Sequence, residues 1–399
     1  MEFRKKTLRE IDPASRRVLV RVDFNVPVKQ GQVADDTRIV AAMPTVRYLI
    51  QKSARLVLMS HLGRPEGAPD PRYSLRPVAE RLERMLRAPV GFVPDCIGDE
   101  AESAARALAD GGVLLLENLR FHPEEEANDP AFAGRLAALG EIYVNDAFGT
   151  AHRAHASTEA LAHLVKPAVA GFLMQKELEY LGRALEQPRR PFVAILGGAK
   201  ISGKVDVITA LLGKVDYLLI GGAMMFTFLR AQGRSTGRSL VEVDRVEMAR
   251  SVLEQARSRG VELVLPVDCV VSAAADGSAP ARTVPVDHIG EQDRGVDIGP
   301  ETVRGFAARL SDARTVLWNG PMGIFEVDAF AEGTLAVARA LAEATGRGAT
   351  TVVGGGDSVA ALQQAGLAER VSHLSTGGGA SLEFLEGRVL PGVAALDDA

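Results

Sequence analysis

The sequence predicts an α/β protein of two domains, each a mainly parallel sheet with helices on both faces. Three observations predict it. Short apolar runs alternate with amphipathic stretches almost from end to end. Most of those runs are continuous Val, Ile and Leu rather than alternating, the pattern of strands buried on both faces. The chain has 399 residues, which at roughly 150 per domain is too long for one, and one twisted sheet rarely holds about ten strands.

In chain order the predicted strands are 17–24, 55–61, 113–118, 142–148, 192–197, 217–222, 262–271, 315–319, 350–354 and 373–376. Helical patterns lie between them. Within 37–54, Ile39, Met43, Val46 and Ile50 recur every three or four residues, one face of a helix. The stretch 174–186 reads as a polar helix (Gln175, Lys176, Glu177, Glu179), and QPRRP at 187–191 breaks the chain before the next strand. A helix with little apolar stripe between two sheet systems suits a connector. The expected division is therefore 1–173 and 187–382, joined by a hinge helix at 174–186.

Composition narrows the class. Apolar residues make up 47% and charged residues 24%, with a net charge of −5. That is a globular mix with no global attraction to nucleic acid or to an anionic membrane. Cys96 and Cys269 stand far apart and offer neither a disulfide framework nor zinc spacing. Met1 to Arg9 is charged and lacks the apolar region of a secretory signal, so a cytoplasmic protein without membrane partners is expected.

Polar and glycine-rich signatures repeatedly follow the carboxyl ends of predicted strands, where open parallel sheets bind ligands. In the first half they bring Arg38, His61, Arg64, Arg120 and Arg153, a set suited to a small multiply charged anion. Asp23 and Asn25 could orient a hydroxyl there. Any one of these arginines is more often a solvated surface residue, and their common position at strand ends is what marks the set. His152, His155 and Glu159 mimic metal-ligand spacing, but no third cluster supports them, so capping and loop packing are the expected roles.

In the second half, Gly198-Ala-Lys200-Ile-Ser-Gly203-Lys204 resembles a P-loop, yet Val205 stands where a magnesium-binding hydroxyl is required. What survives is a glycine turn opening a helix that bears Lys200 and Lys204, able to meet phosphates or to be an ordinary tight turn. Gly354-Gly355-Gly356-Asp357-Ser358 is sharper. Its glycines permit close backbone approach, and Asp357 could hold Mg²⁺ or, with Ser358, cap the next helix. No G-x-G-x-x-G fingerprint occurs, which disfavours a nicotinamide-dependent dehydrogenase.

Together these segments resemble the phosphoglycerate kinase family over nearly the whole chain. They are RVDFNVP at 21–27, SHLGRP at 60–65, ENLRFHPEEE at 117–126, NDAFGTAHRAHAS at 145–157 and LGGAKISGKVDVI at 196–208. LPVDCV at 265–270, DIGPET at 297–302, WNGPMGIFE at 318–326, GGGDS at 354–358 and STGGGASLEFLEG at 375–387 complete the order. The resemblance implies two Rossmann-like domains and reversible phosphoryl transfer between 1,3-bisphosphoglycerate and ADP, giving 3-phosphoglycerate and ATP. It implies that Asp23, Asn25, Arg38, His61, Arg64, Arg120 and Arg153 bind the phosphoglycerate.

For the nucleotide it implies Lys200, Lys204, Gly354, Gly355 and Gly356 at the phosphates, with Asp357 on Mg²⁺ and Ser358 among the nucleotide-binding residues. Asn319, Pro321 and Gly323 would line its site, Glu326 would accept from the ribose hydroxyls, and Gly197, Gly221 and Gly222 would lie against adenine and ribose. Arg38, Lys200, Gly354 and Gly355 would be catalytic. The resemblance further implies a hinge-closing monomer whose segment 383–399 packs back on the first domain.

Overall fold

The computed structural model describes residues 5–399; Met1 to Arg4 of the charged N-terminal stretch lie outside them. The chain forms two compact units. One takes in the chain up to Glu179 together with Val389–Ala399, and the other is Tyr180–Arg388.

The first unit contains β1 (Arg17–Arg21), β2 (Val28–Lys29), β3 (Gln32–Val33), β4 (Arg55–Met59), β5 (Val90–Val93), β6 (Val113–Leu116), β7 (Ile142–Asn145) and β8 (Ala168–Ala170). Six of them form a parallel sheet in the order β5-β6-β4-β1-β7-β8, and β2 and β3 make a small hairpin. Every residue of β6 and β7 is buried, as continuous apolar runs require of central strands. The predicted first helix forms over Thr37–Gln51, with Ile39, Met43 and Val46 on the core; Leu49 rather than Ile50 completes the buried face.

The second unit contains β9 (Phe192–Leu196), β10 (Tyr217–Ile220), β11 (Glu262–Val264), β12 (Asp268–Ser272), β13 (Ala281–Pro285), β14 (Arg294–Ile298), β15 (Thr315–Asn319), β16 (Thr350–Gly354) and β17 (His373–Leu374). A parallel sheet runs β11-β10-β9-β15-β16-β17, and β13-β12-β14 is a separate antiparallel sheet. In the second sheet the chain winds outward from β9 and then reverses; in the first it goes from β1 to β4, skips to the edge at β5 and returns to β6 before reversing to β7 and β8. The reversals fall between β1 and β7 and between β9 and β15, where crevices open at the carboxyl ends.

Three expectations need correction. The predicted strand 262–271 is two strands in different sheets, because Pro266 lies between them and offers no backbone donor. The connector helix runs Phe172–Glu186 and is not apolar-poor: Met174, Leu178, Leu181 and Leu185 are buried at helical spacing. The returning segment begins at Val389 rather than 383, since the helix Gly379–Leu385 stays with the second unit. The return is held by backbone pairing of Lys6 with Asp397 and by Lys5 Nζ on the carbonyls of Ala394 and Leu396. Among the described residues no helix is long and apolar enough to cross a membrane.

Candidate active site

In the first unit the carboxyl ends of β1, β4, β6 and β7 carry a cluster of basic side chains. At its base is Arg21, the last residue of β1, only 1% exposed. Its Nε donates to Ser157 Oγ at 2.9 Å, and its Nη2 lies 3.2 Å from His61 Nδ1. Ser157 in turn donates its N–H and hydroxyl to the fully buried Glu125. Burial pushes the Glu125 carboxyl up, while the Arg21 charge works against that. Around this buried chain stand Arg38, whose Nη1 donates to Asp23 Oδ2 at 2.9 Å, and Arg120, whose Nη1 donates to the Gly63 carbonyl at 2.9 Å. Arg120 Nε lies 3.2 Å from Glu126 Oε1 but is not aligned to hydrogen-bond it.

The two histidines of this cluster do not supply the charge. Burial, then the Arg21 and Arg120 guanidiniums, hold His61 well below its usual range. His155 falls to about 4, by burial first and then Arg120 and Arg21. Both are neutral at pH 7, so the positive field comes from arginines, whose guanidiniums stay charged. Asn25 braces the loop after β4 by accepting from the Gly63 N–H at 2.9 Å. Arg64 and Arg153 are exposed at the rim, and Arg153 Nε donates to His152 Nε2. Glu159 is used elsewhere, accepting from Asn128 and pairing with His163, and does not join His152 and His155 as a metal cluster.

In the second unit two cavities adjoin, sharing Gly198, Ala199, Pro321 and Asp357 in their walls. The larger, about 630 Å³, is lined by Gly222, Met225, Leu240, Met322, Gly323 and Glu326 among others. The smaller, about 270 Å³, is lined by Lys200, Lys204, Asn319, Gly355, Gly356 and Ser358. The expected helix over the P-loop-like turn begins only at Val205, so Lys200 and Lys204 precede it. Glu242 holds that turn by accepting from Ile201 N, Ser202 N and Ser202 Oγ at 2.6, 3.2 and 2.5 Å. Lys200 is left exposed at the cavity.

Lys204 is committed differently. Its Nζ donates to Gly197 O, Asn319 O and Asn319 Oδ1 at 2.6, 2.9 and 2.8 Å, which uses all three ammonium protons. Burial lowers it to about 8, and the Asp357 charge opposes the shift. Here it ties the loops after β9 and β15 together rather than offering hydrogen bonds to a ligand.

Some glycines shape the wall from behind. Gly197 and Gly221 line neither cavity; a Cβ on them would fall 2.1 Å from Pro321 O and 2.4 Å from Met322 Sδ. Gly222 does face the larger cavity, at φ +65°, where a Cβ would strike Gly198 N at 2.3 Å. Gly354 ends β16 inside the sheet, so Gly355 and Gly356 form the exposed part of that loop. The helix cap there is Gly355, at φ +88°, rather than Asp357 or Ser358. Ser358 Oγ instead accepts from Gly320 N at 2.7 Å.

Sequence reasoning passed over Arg21, Glu125, His155, Glu242 and Asp297 as site residues. Asp297 lies within a quoted motif and lines the larger cavity, where it accepts from Ile298 N and Gly333 N at 2.8 and 2.6 Å. Burial pushes its carboxyl up from 3.8 to about 7. Between those values the folded chain holds a proton that the unfolded chain has lost. This stabilising contribution is full below 3.8 and disappears as pH rises through 7. Asp297→Asn is therefore expected to gain stability relative to the parent as pH is raised across that window, measured by urea unfolding. Parallel pH profiles for the two proteins would refute it.

Comparison with known proteins agrees with this architecture. The sequence matches the phosphoglycerate kinase family over residues 8–388. It is 60% identical over 396 residues to a phosphoglycerate kinase of Chlorobium luteolum, covering 99% of this chain and all of the relative. It is 59% identical over 397 residues to that of Chlorobaculum tepidum, again covering 99% of this chain and all of the relative. Among solved structures, phosphoglycerate kinase from Coxiella burnetii superposes with a TM-score of 0.89 at 42% identity, covering 98% of both chains. The enzyme from Pyrococcus horikoshii gives 0.86 at 33%, also over 98% of both. The chain thus belongs to the phosphoglycerate kinase family, enzymes that transfer a phosphoryl group reversibly between 1,3-bisphosphoglycerate and ADP to give 3-phosphoglycerate and ATP.

Proposed function

We propose that the basic cluster of the first unit holds the phosphoglycerate and that the paired cavities of the second hold ADP or ATP with Mg²⁺. The observation that carries this reading is the pairing itself. A small cavity lined by Lys200, Asp357, Gly355 and Gly356 opens beside a larger, mostly apolar one, which suits the phosphates and the nucleoside. Asp23 and Asn25 address the glycerate, Arg38 its carboxyl end, and His61, Arg64, Arg120 and Arg153 the distal phosphate. Lys200, Gly355 and Gly356 meet the transferring phosphates, while Gly222, Asn319, Pro321, Gly323 and Glu326 flank the nucleotide. Lys204 and Ser358 line the small cavity with their polar atoms committed to neighbouring loops, and Gly197, Gly221 and Gly354 shape that site from behind.

The Asp357 carboxylate fits Mg²⁺, being exposed in the wall common to both cavities. One carboxylate plus substrate phosphates is the usual way this ion is held in kinases, and it neutralises phosphate charge there. The acceptor is a carboxylate with no proton at neutral pH, so no general base is needed, and neutral His61 and His155 need not be one. Catalysis then consists of in-line alignment and neutralisation of charge on the moving phosphoryl oxygens, by Arg38, Lys200 and the Gly355 and Gly356 amides.

Each half-site is built within one chain, which suits a monomer, and both cysteines are buried and free, which suits the cytoplasm. A coupled assay tests the whole reading. ATP-dependent consumption of 3-phosphoglycerate is expected only when Mg²⁺ is present. Turnover unaffected by removing Mg²⁺ would refute the metal, and no turnover by folded protein would refute the function.

A further inference from the structure

Two connections at the edge of the first sheet meet in side chains that the phosphoryl-transfer site does not use. Asp95 and Cys96 follow β5, and His122 follows the turn after β6. A carboxylate oxygen, a thiol sulfur and a ring nitrogen from these residues all lie within 4.8 Å of one another. Asp95 Oδ1 is 2.7 Å from His122 Nε2 and accepts from Cys96 N at 2.6 Å. The cluster has a buried side and an open one. Cys96 is wholly buried, while the side chains of Asp95 and His122 are 51% and 26% exposed. The His122 ring is steadied by Phe132, with centroids 5.3 Å apart. Among the described residues no other three His, Cys, Asp or Glu side chains converge in this way.

We propose that Asp95, Cys96 and His122 form a binding site for a thiophilic divalent cation of the Zn²⁺ class. Sulfur, imidazole and carboxylate together suit such an ion and not Mg²⁺, which prefers oxygen ligands alone. Three protein ligands leave the fourth tetrahedral position to water, reached from the exposed Asp95 and His122 side. Tetrahedral ligands of zinc stand roughly 3.5 Å apart, so Asp95 Oδ1 and His122 Nε2, now 2.7 Å apart, would separate by roughly 1 Å while the Cys96 sulfur, within 4.8 Å of them, draws in. On binding, the Cys96 S–H bond breaks, its proton leaves to solvent and a sulfur–metal bond forms. His122 gives up its hydrogen bond to Asp95, carries its proton on Nδ1 and donates the Nε2 lone pair. Asp95 enters as a carboxylate. One proton is released per ion bound.

The competing explanation is a hydrogen-bonded loop clasp that binds nothing, and titration with Cd²⁺ separates the two. The wild type and Cys269→Ser are expected to show an ultraviolet cadmium–thiolate band that saturates at about one equivalent, with about one proton released. Cys96→Ser should show no band. His122→Gln should weaken binding by more than the ~10-fold that outer-shell changes already cost. Retained turnover of each variant reports its folding. Absence of the band in the wild type, its persistence in Cys96→Ser, or unchanged affinity in His122→Gln would overturn the proposal. The last variant keeps the test intact should Cys96→Ser fail to fold.

Discussion

Arg38→Ala is expected to lower kcat by roughly 10²–10³-fold, the cost of removing one preorganised donor from a developing negative charge. The effect should be large because Arg38 does two things at once. It stands at the start of the helix Thr37–Gln51, where Asp35 accepts from Thr37 N and Oγ1, so the guanidinium is presented from a fixed backbone. It also neutralises Asp23, whose side chain is only 9% exposed. Truncation therefore removes a cation and leaves an unpaired carboxylate facing an anionic substrate, which should raise KM for 3-phosphoglycerate as well. Arg38→Lys should recover part of the loss, since it keeps the charge and gives up the planar fork. Steady-state kinetics with both substrates varied would decide it. A kcat within about threefold of the parent, less than 1 kcal/mol, would remove Arg38 from the catalytic set.

Lys200→Ala should lower kcat by a similar factor of about 10²–10³ with little effect on folding. Its ammonium is exposed at the small cavity, and the turn that carries it is held by Glu242 through bonds that do not involve the lysine side chain. Lys204→Ala should behave in the opposite sense, losing stability before it loses specific chemistry. Three oxygens, Gly197 O, Asn319 O and Asn319 Oδ1, would be left without their shared donor. Measuring kcat and Tm for both variants distinguishes the two lysines. If Lys200→Ala lost stability and Lys204→Ala did not, the roles would have to be exchanged.

Legibility in the sequence followed burial. Strands buried throughout, such as Phe192–Leu196 and Thr315–Asn319, were plain because continuous apolar runs have few other uses. The half-exposed edge strand Val90–Val93 and the largely exposed Ala281–Pro285 carry no such run, and Ala168–Ala170, though buried throughout, is too short at three residues to stand out. Among site residues, glycines and arginines after strands stood out by position. Arg21 did not, because inside RVLVR it reads as an ordinary strand residue, and only the fold buries it beside His61 and Ser157. Glu242 had no signal at all, since the turn it holds lies about forty residues earlier in the chain.

Local pattern alone establishes the α/β class, the organisation into two large sheets and the family, and it marks the strand ends that carry the proposed sites. Periodicity and strand-end chemistry are local, and local patterns survive without coordinates. Tertiary structure decided what each charged group is free to do. His61 and Lys200 both looked cationic and available, yet burial among arginines makes His61 neutral, while Lys200 stays exposed at the small cavity. Lys204 looked like a second Lys200 until three oxygens from two loops used up its protons. Cys96 showed no metal spacing along the chain, and only the pairing of β5 with β6 brings it to His122. Charge state, hydrogen-bond capacity and ligand convergence depend on neighbours distant in sequence, which is why they had to wait for the fold.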